Sequence, residues 1–243
     1  MTYSRKLALA TGIFFVITIV ASIPAAFVFY APVLEDPRYI VGAGADTRVF
    51  WGAFLEVLTA LACMGTAVAL FPIVKRQNEA VALGYAAVRI FEATMIAVGI
   101  VSLLSVVTLR QDLADASDAV SLGQGLVAIH DATFLIGPGL LAGLGNGMLL
   151  GYLMYRSGLV PRRMALLGLI GGPLVTASGI AVLFGHYEQV SPVAAIIAIP
   201  ETIWELSLGI WLILKGFDPS AAILSEPDRT VLIERDKLSL SRA

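Results

Sequence analysis

Six long apolar stretches, separated by short polar segments, dominate the pattern of the chain. They cover residues 7–30, 50–74, 80–109, 125–155, 164–184 and 193–214. Each is long enough to cross a bilayer, whose hydrocarbon core of about 30 Å takes roughly 20 residues of α-helix. The segments between them do not alternate as strands do, and helices satisfy their own backbone groups in lipid. The pattern therefore predicts an all-α polytopic membrane protein, a bundle of six transmembrane helices.

The first stretch has one competing interpretation. Arg5 and Lys6 followed by an apolar run and small residues near position 25 resemble a cleaved signal peptide. The apolar run continues to residue 30 and is long enough to span, so we expect a membrane helix.

Basic residues between the stretches predict the orientation. If the N-terminus faces the cytoplasm, eight basic residues lie in the inner segments before the tail: Arg5, Lys6, Lys75, Arg76, Arg156, Arg162, Arg163 and Lys215. The outer segments hold three: Arg38, Arg48 and Arg110. Because Lys and Arg accumulate on the cytoplasmic side, we expect both termini in the cytoplasm.

Composition agrees with a membrane protein and excludes several other classes. Hydrophobic residues make up 58% and charged residues 14% of the 243 positions, and the mean hydropathy is +0.87. The 16 Lys and Arg do not exceed the 18 Asp and Glu, which speaks against nucleic acid as a partner and leaves the lipid bilayer. A single cysteine excludes a disulfide scaffold and a cysteine-rich zinc module.

The domain organisation follows from these stretches. Residues 1–217 form one six-helix transmembrane domain, and residues 218–243 are expected to be a flexible cytoplasmic tail, in which 230–240 is weakly amphipathic. The two longer outer segments, 31–49 and 110–124, are either a ligand entrance or ordinary connections.

Small residues mark one face of the fourth stretch. Gly139, Gly143, Gly147 and Gly151 recur every fourth residue and form a ridge that lets another helix approach closely. The partner is either the glycine-rich fifth stretch or a second copy of the protein, so oligomerisation through the ridge is one expectation.

Ionisable residues inside the predicted spans are the candidates for function. They are Glu56, Arg89, Glu92, His130, Asp131, Glu201 and Glu205. Each is a functional hypothesis, because a charge at the bilayer centre costs about 2.5 kcal/mol or more. Glu201 and Glu205 lie one helical turn apart, roughly 14 and 20 Å below the outer end of the sixth span by helix rise.

These residues predict a polar cavity between spans two, three, four and six that opens outward. We expect Glu201 and Glu205 to hold a ligand or proton, Arg89 and Glu92 to supply the counter-charge, and Glu56 with His130 and Asp131 to lie at the mouth. The alternative for Arg89 is a structural ion pair, with Glu92 or Glu205, that ties spans three and six together.

Charge balance leaves the chemistry open. Five carboxyl groups face one permanent cation, so some are protonated, or a metal or cationic ligand is bound, or the cavity is wet. No cofactor motif is evident. If a metal ion is bound, its candidate ligands are Glu201, Glu205, His130 and Asp131.

Three classes of function fit these residues. The first is binding or movement of a cation, a proton or a small polar ligand. The second is a membrane-embedded hydrolase, for instance metal-dependent, that acts on a lipid-like substrate, although no HExxH or GxSxG motif is present. The third is a structural or interaction protein whose polar residues specify helix packing.

Two motifs resemble those of a known family. Residues 200–217 read PETIWELSLGIWLILKGF, and residues 84–92 read GYAAVRIFE. Together with His130-Asp131 at the start of a similar fourth span, they are similar to the bacterial membrane family catalogued as domain of unknown function 4386, over about residues 5–217. The resemblance implies a bacterial inner-membrane location. It implies no substrate or catalytic residue.

Overall fold

Helices make up the fold. The computed structural model describes residues 1–42, 44–112 and 119–225, and this part of the chain contains no strand. Within these residues, six helices are long and apolar enough to cross a membrane: Tyr3–Phe29, Asp46–Val74, Glu79–Asp112, Ala119–Ser157, Arg162–Leu183 and Pro192–Leu214. We call them spans one to six. The predicted all-α, six-span membrane protein is confirmed, with boundaries that shift by a few residues, whereas its orientation in the membrane stays a prediction.

The six spans form a closed ring in chain order. Each span packs against the next, and span one packs against span six. Consecutive spans are therefore antiparallel and connect at alternating ends of the bundle. We call the end with residues 31–45 and 184–191 the loop end, and the end with both the N-terminus and residues 215–225 the terminal end.

Two short elements cover the loop end. A helix, Ala31–Glu35, and a 3₁₀ turn, Tyr39–Val41, lie between spans one and two. Their buried side chains pack with those of spans two, three and four in one apolar cluster. A ligand entrance in this segment stays a prediction, and residues 113–118 of the second long segment lie outside the described residues.

The terminal end is held by contacts between distant parts of the chain. The Arg5 guanidinium donates hydrogen bonds to the carbonyls of Leu212 and Ile213 at 2.7 and 2.5 Å, and so caps span six. Phe217 and Ile223 pack into the main apolar core, so residues 217–225 lie against the bundle. The rest of the predicted tail, including 230–240, lies outside the described residues.

Span four departs from regular α-helix around its proline and glycines. It contains two π-helical segments, Gly137–Leu141 and Gly143–Leu150. Pro138 carries no backbone N–H, and π-turns of this kind are common where a helix accommodates such a break. The irregular backbone is tolerated at membrane depth because span four is enclosed by spans three and five.

The glycine ridge of span four meets span five of the same chain. A Cβ atom at Gly143 would lie 2.6 Å from the Gly172 carbonyl oxygen, and one at Gly179 would lie 2.7 Å from that of Gly139. No side chain fits between these backbones, so the two helices are in close contact. Oligomerisation through the same ridge stays a prediction.

Candidate functional site

A polar cavity of about 190 Å³ lies at the centre of the ring, and all six spans line it. We call it the central cavity. Its polar lining comes from Thr18, Ser22, Thr59, Cys63, Arg89, Glu92, Glu201, Thr202 and Glu205. Spans four and five add the apolar Pro138, Ala142 and Val175. At about 30 Å³ per water molecule in the liquid, the space is enough for several waters or a small ligand group.

Arg89 and Glu92 form an ion pair in the wall of this cavity. The Arg89 guanidinium donates to Glu92 Oε2 at 2.5 Å, and both residues are buried. Their spacing of three residues places both side chains on one face of span three. Of the two partners considered for Arg89, Glu92 is the one in contact, so the pair lies within span three and does not tie it to span six.

Glu205 is bound by a residue that the sequence analysis did not place in the site. The side-chain amide of Asn146, in a π-helical segment of span four, donates to Glu205 Oε1 at 2.5 Å. Trp204 in turn donates its indole N–H to the Asn146 carbonyl oxygen at 2.9 Å. The signal in the sequence was a lone amide side chain inside a glycine-rich membrane helix, since such groups require a buried partner.

Glu201 differs from Glu92 and Glu205 because its carboxyl has no hydrogen-bond partner in the part of the chain that the structure describes. It is 4% exposed, and neither of its carboxyl oxygens receives a hydrogen bond from the described residues. Two glycines make room for it: a Cβ atom at Gly147 or Gly171 would lie 2.6 or 2.8 Å from Glu201 Oε2. The helix packing of spans four and five therefore leaves a space that this carboxyl occupies.

Among the described residues that line the central cavity, acidic side chains outnumber basic ones. Arg89 is paired with Glu92, and no other Lys, Arg or His is among the described residues that line the cavity. Glu201, which is buried, and Glu205, which is half-buried, remain without a cation of their own, and carboxylates that outnumber the cations beside them are costly to ionise at this depth. The arrangement can therefore hold protons, or a cation that brings the missing positive charge.

Glu56 and His130 occupy a separate place beside the central cavity. They line a small pocket of about 10 Å³, close to the volume that one water needs, which shares Ile96 and Pro138 with the central cavity. The His130 ring contacts Tyr30 edge-on, with the ring centroids 5.7 Å apart. Both residues are therefore adjacent to the four charged groups but do not line the same space.

Asp131 lies beside His130, with its Oδ1 3.4 Å from His130 Nδ1, but it does not share the His130 pocket. Its side chain is 62% exposed and lines a different pocket at the loop end, of about 240 Å³. Adjacent helical residues point about 100° apart, which explains the divergence. The four candidate metal ligands therefore line three different pockets and do not converge on one point. The described residues contain no group of three or more His, Cys, Asp or Glu placed to hold a metal ion.

Comparison with protein families matches residues 10–216 to the family described as Domain of unknown function (DUF4386). The chain belongs to this family. The predicted resemblance is confirmed, and the bacterial origin that it implied stays a prediction. Searches among curated proteins and among solved structures find no match.

The DUF4386 match covers the whole central cavity. The two motifs that carried the resemblance, residues 84–92 and 200–217, supply its four charged groups: Arg89, Glu92, Glu201 and Glu205. The family description assigns no activity, so the chemistry of these residues is the basis for a function.

Proposed function

We propose that this membrane protein binds, or moves, a cation or a proton at Glu201 and Glu205 in the central cavity. The observation that carries the proposal is Glu201, a buried carboxyl that receives no hydrogen bond from the described residues, in a cavity where these residues supply no cation besides the paired Arg89. A bound proton or cation removes the cost of burying this group.

The other residues of the cavity have supporting roles in this proposal. The Arg89–Glu92 pair is neutral as a unit and orients its carboxylate without balancing Glu201. Asn146 fixes the position of Glu205 through its amide. Glu56 and His130 line the small pocket beside the cavity. In this proposal they form an intermediate site for a proton or ion that moves between the cavity and the loop end.

The distribution of basic residues supports one orientation for this function. We place the protein in the inner membrane of a bacterium, with both termini in the cytoplasm and the loop end outside. In this orientation we expect the cavity to open to the outside, toward the loop end. The eight-to-three excess of Lys and Arg on the terminal end is the basis for this placement.

The geometry supports a hydrolase less well. A metal-dependent site requires His, Asp and Glu ligands that converge on one ion. His130 and Asp131 line pockets other than the one that holds Glu201 and Glu205. Binding at the two glutamates therefore explains more of the arrangement.

The test is ligand-induced stabilisation of the purified protein in lipid nanodiscs. The thermal unfolding midpoint is measured with Na⁺, K⁺, methylammonium, Mg²⁺, Ca²⁺ and Zn²⁺, and across a pH series without added cation. A bound ligand at a hundredfold excess over its Kd should raise the midpoint by roughly 5–10 °C. The variants are Glu201→Gln, the double variant Glu201→Gln/Glu205→Gln, and Asp131→Asn as an exposed-acid control.

The response to a cation or to pH should be present in the wild type and in Asp131→Asn, and lost in both glutamine variants. A cation response identifies a cation site, and a pH response without a cation response identifies a proton site. If the wild type and the folded Glu201→Gln variant respond alike to every cation and to pH, the proposal is wrong.

A further inference from the structure

A second and larger space adjoins the central cavity on its loop-end side. It has a volume of about 520 Å³ and lies between spans one, four, five and six. Most of its lining is apolar, including Phe27, Phe134, Leu135 and Val182. We call it the apolar chamber. Its volume falls within the range of roughly 300–1,000 Å³ that is typical of pockets for organic ligands.

The two spaces meet at three shared residues. Pro138 of span four, Val175 of span five and Ala198 of span six line both of them. Ala198 lies three residues, or about 4.5 Å along the helix, from Glu201. An apolar space therefore adjoins a site that contains Glu201, whose carboxyl receives no hydrogen bond from the described residues.

Helix geometry gives the chamber a direction. Its lining on span six runs from Pro192 at the loop end to Ala198, about 9 Å along the helix axis. Glu201 and Glu205 follow in the next two turns, further from the loop end. A ligand that fills both spaces thus has its charged group deep in the membrane and its apolar part toward the loop end.

We propose that the site takes an amphiphilic primary ammonium, with its charged head at Glu201 and Glu205 and its hydrocarbon chain in the apolar chamber. This proposal rests on the cation form of the proposed function. An ammonium group carries three N–H donors, and Glu201 offers two acceptor oxygens that receive no hydrogen bond from the described residues. The hydrocarbon chain makes van der Waals contacts with the chamber lining that an inorganic ion cannot make.

The head and the chain can be tested separately. Three ligands separate the contribution of the charged head from that of the hydrocarbon chain. Decylammonium has both parts, methylammonium has the head alone, and decanol has the chain alone. Affinities are measured by calorimetry on the protein in nanodiscs, with empty nanodiscs of the same lipid as the blank for partitioning. Because partitioning is the same for every variant, differences between variants report the site.

Three variants separate the two spaces. Ala195→Phe adds bulk at a residue that lines the apolar chamber and not the central cavity. Ile196→Phe is its matched control, one position along the same helix, 66% exposed and outside both linings. Glu201→Gln removes the charge that binds the head.

The expected pattern is specific to each variant. Ala195→Phe weakens decylammonium about tenfold or more and changes methylammonium by less than about twofold, whereas Ile196→Phe changes neither by more than about twofold. Glu201→Gln weakens both cations about tenfold or more, since it removes a charge-assisted hydrogen bond. Decanol does not displace methylammonium.

Other results overturn the proposal. If folded Ala195→Phe binds decylammonium as the wild type does, the chain is not in the chamber. Should Ala195→Phe fail to fold, the wild type decides: decylammonium that binds no better than methylammonium, after the empty-nanodisc blank, contradicts a chain site. If decanol displaces decylammonium as well as unlabelled decylammonium does, the chamber is a lipid-chain site without a role for the charge. These results leave the proposed function intact, which fails only if Glu201→Gln changes no cation or pH response.

Discussion

The carboxyl groups of Asp46 and Glu201 differ in how deeply they are buried and in how many hydrogen bonds they accept. At the loop end, Asp46 accepts hydrogen bonds from Arg110 Nε at 2.8 Å and Arg110 Nη2, from Gln111 at 3.0 Å and from the Tyr39 hydroxyl at 2.8 Å. In the central cavity, Glu201 accepts none from the described residues and is more deeply buried. Glu201, whose burial costs more, therefore accepts fewer hydrogen bonds from the described residues than Asp46 does.

The comparison separates a structural role from a functional one. The Asp46 cluster joins the 3₁₀ turn at Tyr39 to the ends of spans two and three, and so fastens the loop end of the bundle. Burial and the hydrogen bond to Asp46 raise the pKa of the Tyr39 hydroxyl above its ordinary range, as expected for a closed network. Glu201 takes part in no comparable network with the described residues, which makes a bound ligand or proton the better explanation for it.

The largest expected effect comes from breaking the Arg89–Glu92 ion pair of the central cavity. Arg89→Leu leaves Glu92 without its partner beside two further carboxyl groups. Removing one member of a buried ion pair costs about 3–5 kcal/mol, so the free energy of unfolding should fall by that amount. The measurement is denaturation by SDS in mixed micelles.

A double variant controls for the loss of the side chain itself. Arg89→Leu/Glu92→Leu removes both charges and should recover most of the stability, because a buried pair replaced by apolar residues is nearly neutral. A double variant as unstable as Arg89→Leu alone would mean that packing, and not charge, accounts for the loss.

The next effect is at the loop end. Asp46→Ala removes the acceptor for Arg110, Gln111 and Tyr39 together, and we expect a loss of about 2–3 kcal/mol in the same assay. Glu35→Ala, an exposed acid of the same end, should change stability by less than about 0.5 kcal/mol. Equal losses in the two variants would contradict a fastening role for Asp46.

The six spans could be predicted from the sequence because hydrophobic length alone identifies a membrane helix. The charged residues of the cavity could be predicted because they interrupt these apolar runs, and an acid inside a membrane helix has few structural explanations. Glu92, Glu201 and Glu205 were singled out by position along their helices, and the structure places them around one space with Arg89.

What the sequence could not provide is the pairing between helices. The partner of Glu205 is Asn146, 59 residues away in span four, and no spacing rule links them. The closed ring, which brings span one into the cavity wall through Thr18 and Ser22, is likewise a property of packing and not of any local pattern. The apolar chamber could not be predicted, because the sequence does not distinguish an apolar residue that lines a chamber from one that packs against a helix or faces lipid.

The smallest expected effect is the one that sharpens the comparison most. Glu201→Gln keeps the size of the side chain and breaks no hydrogen bond to the described residues, so, with Glu201 protonated when no cation is added, the free energy of unfolding should change by less than about 1 kcal/mol. Glu205→Leu, one turn away, should cost about 1–3 kcal/mol, because it leaves the Asn146 amide without its acceptor. If Glu201→Gln instead costs as much as Asp46→Ala, Glu201 is a structural residue and the contrast between the two carboxyl groups disappears. A near-zero cost together with a lost cation or pH response would mean that the protein keeps this buried acid for what it binds.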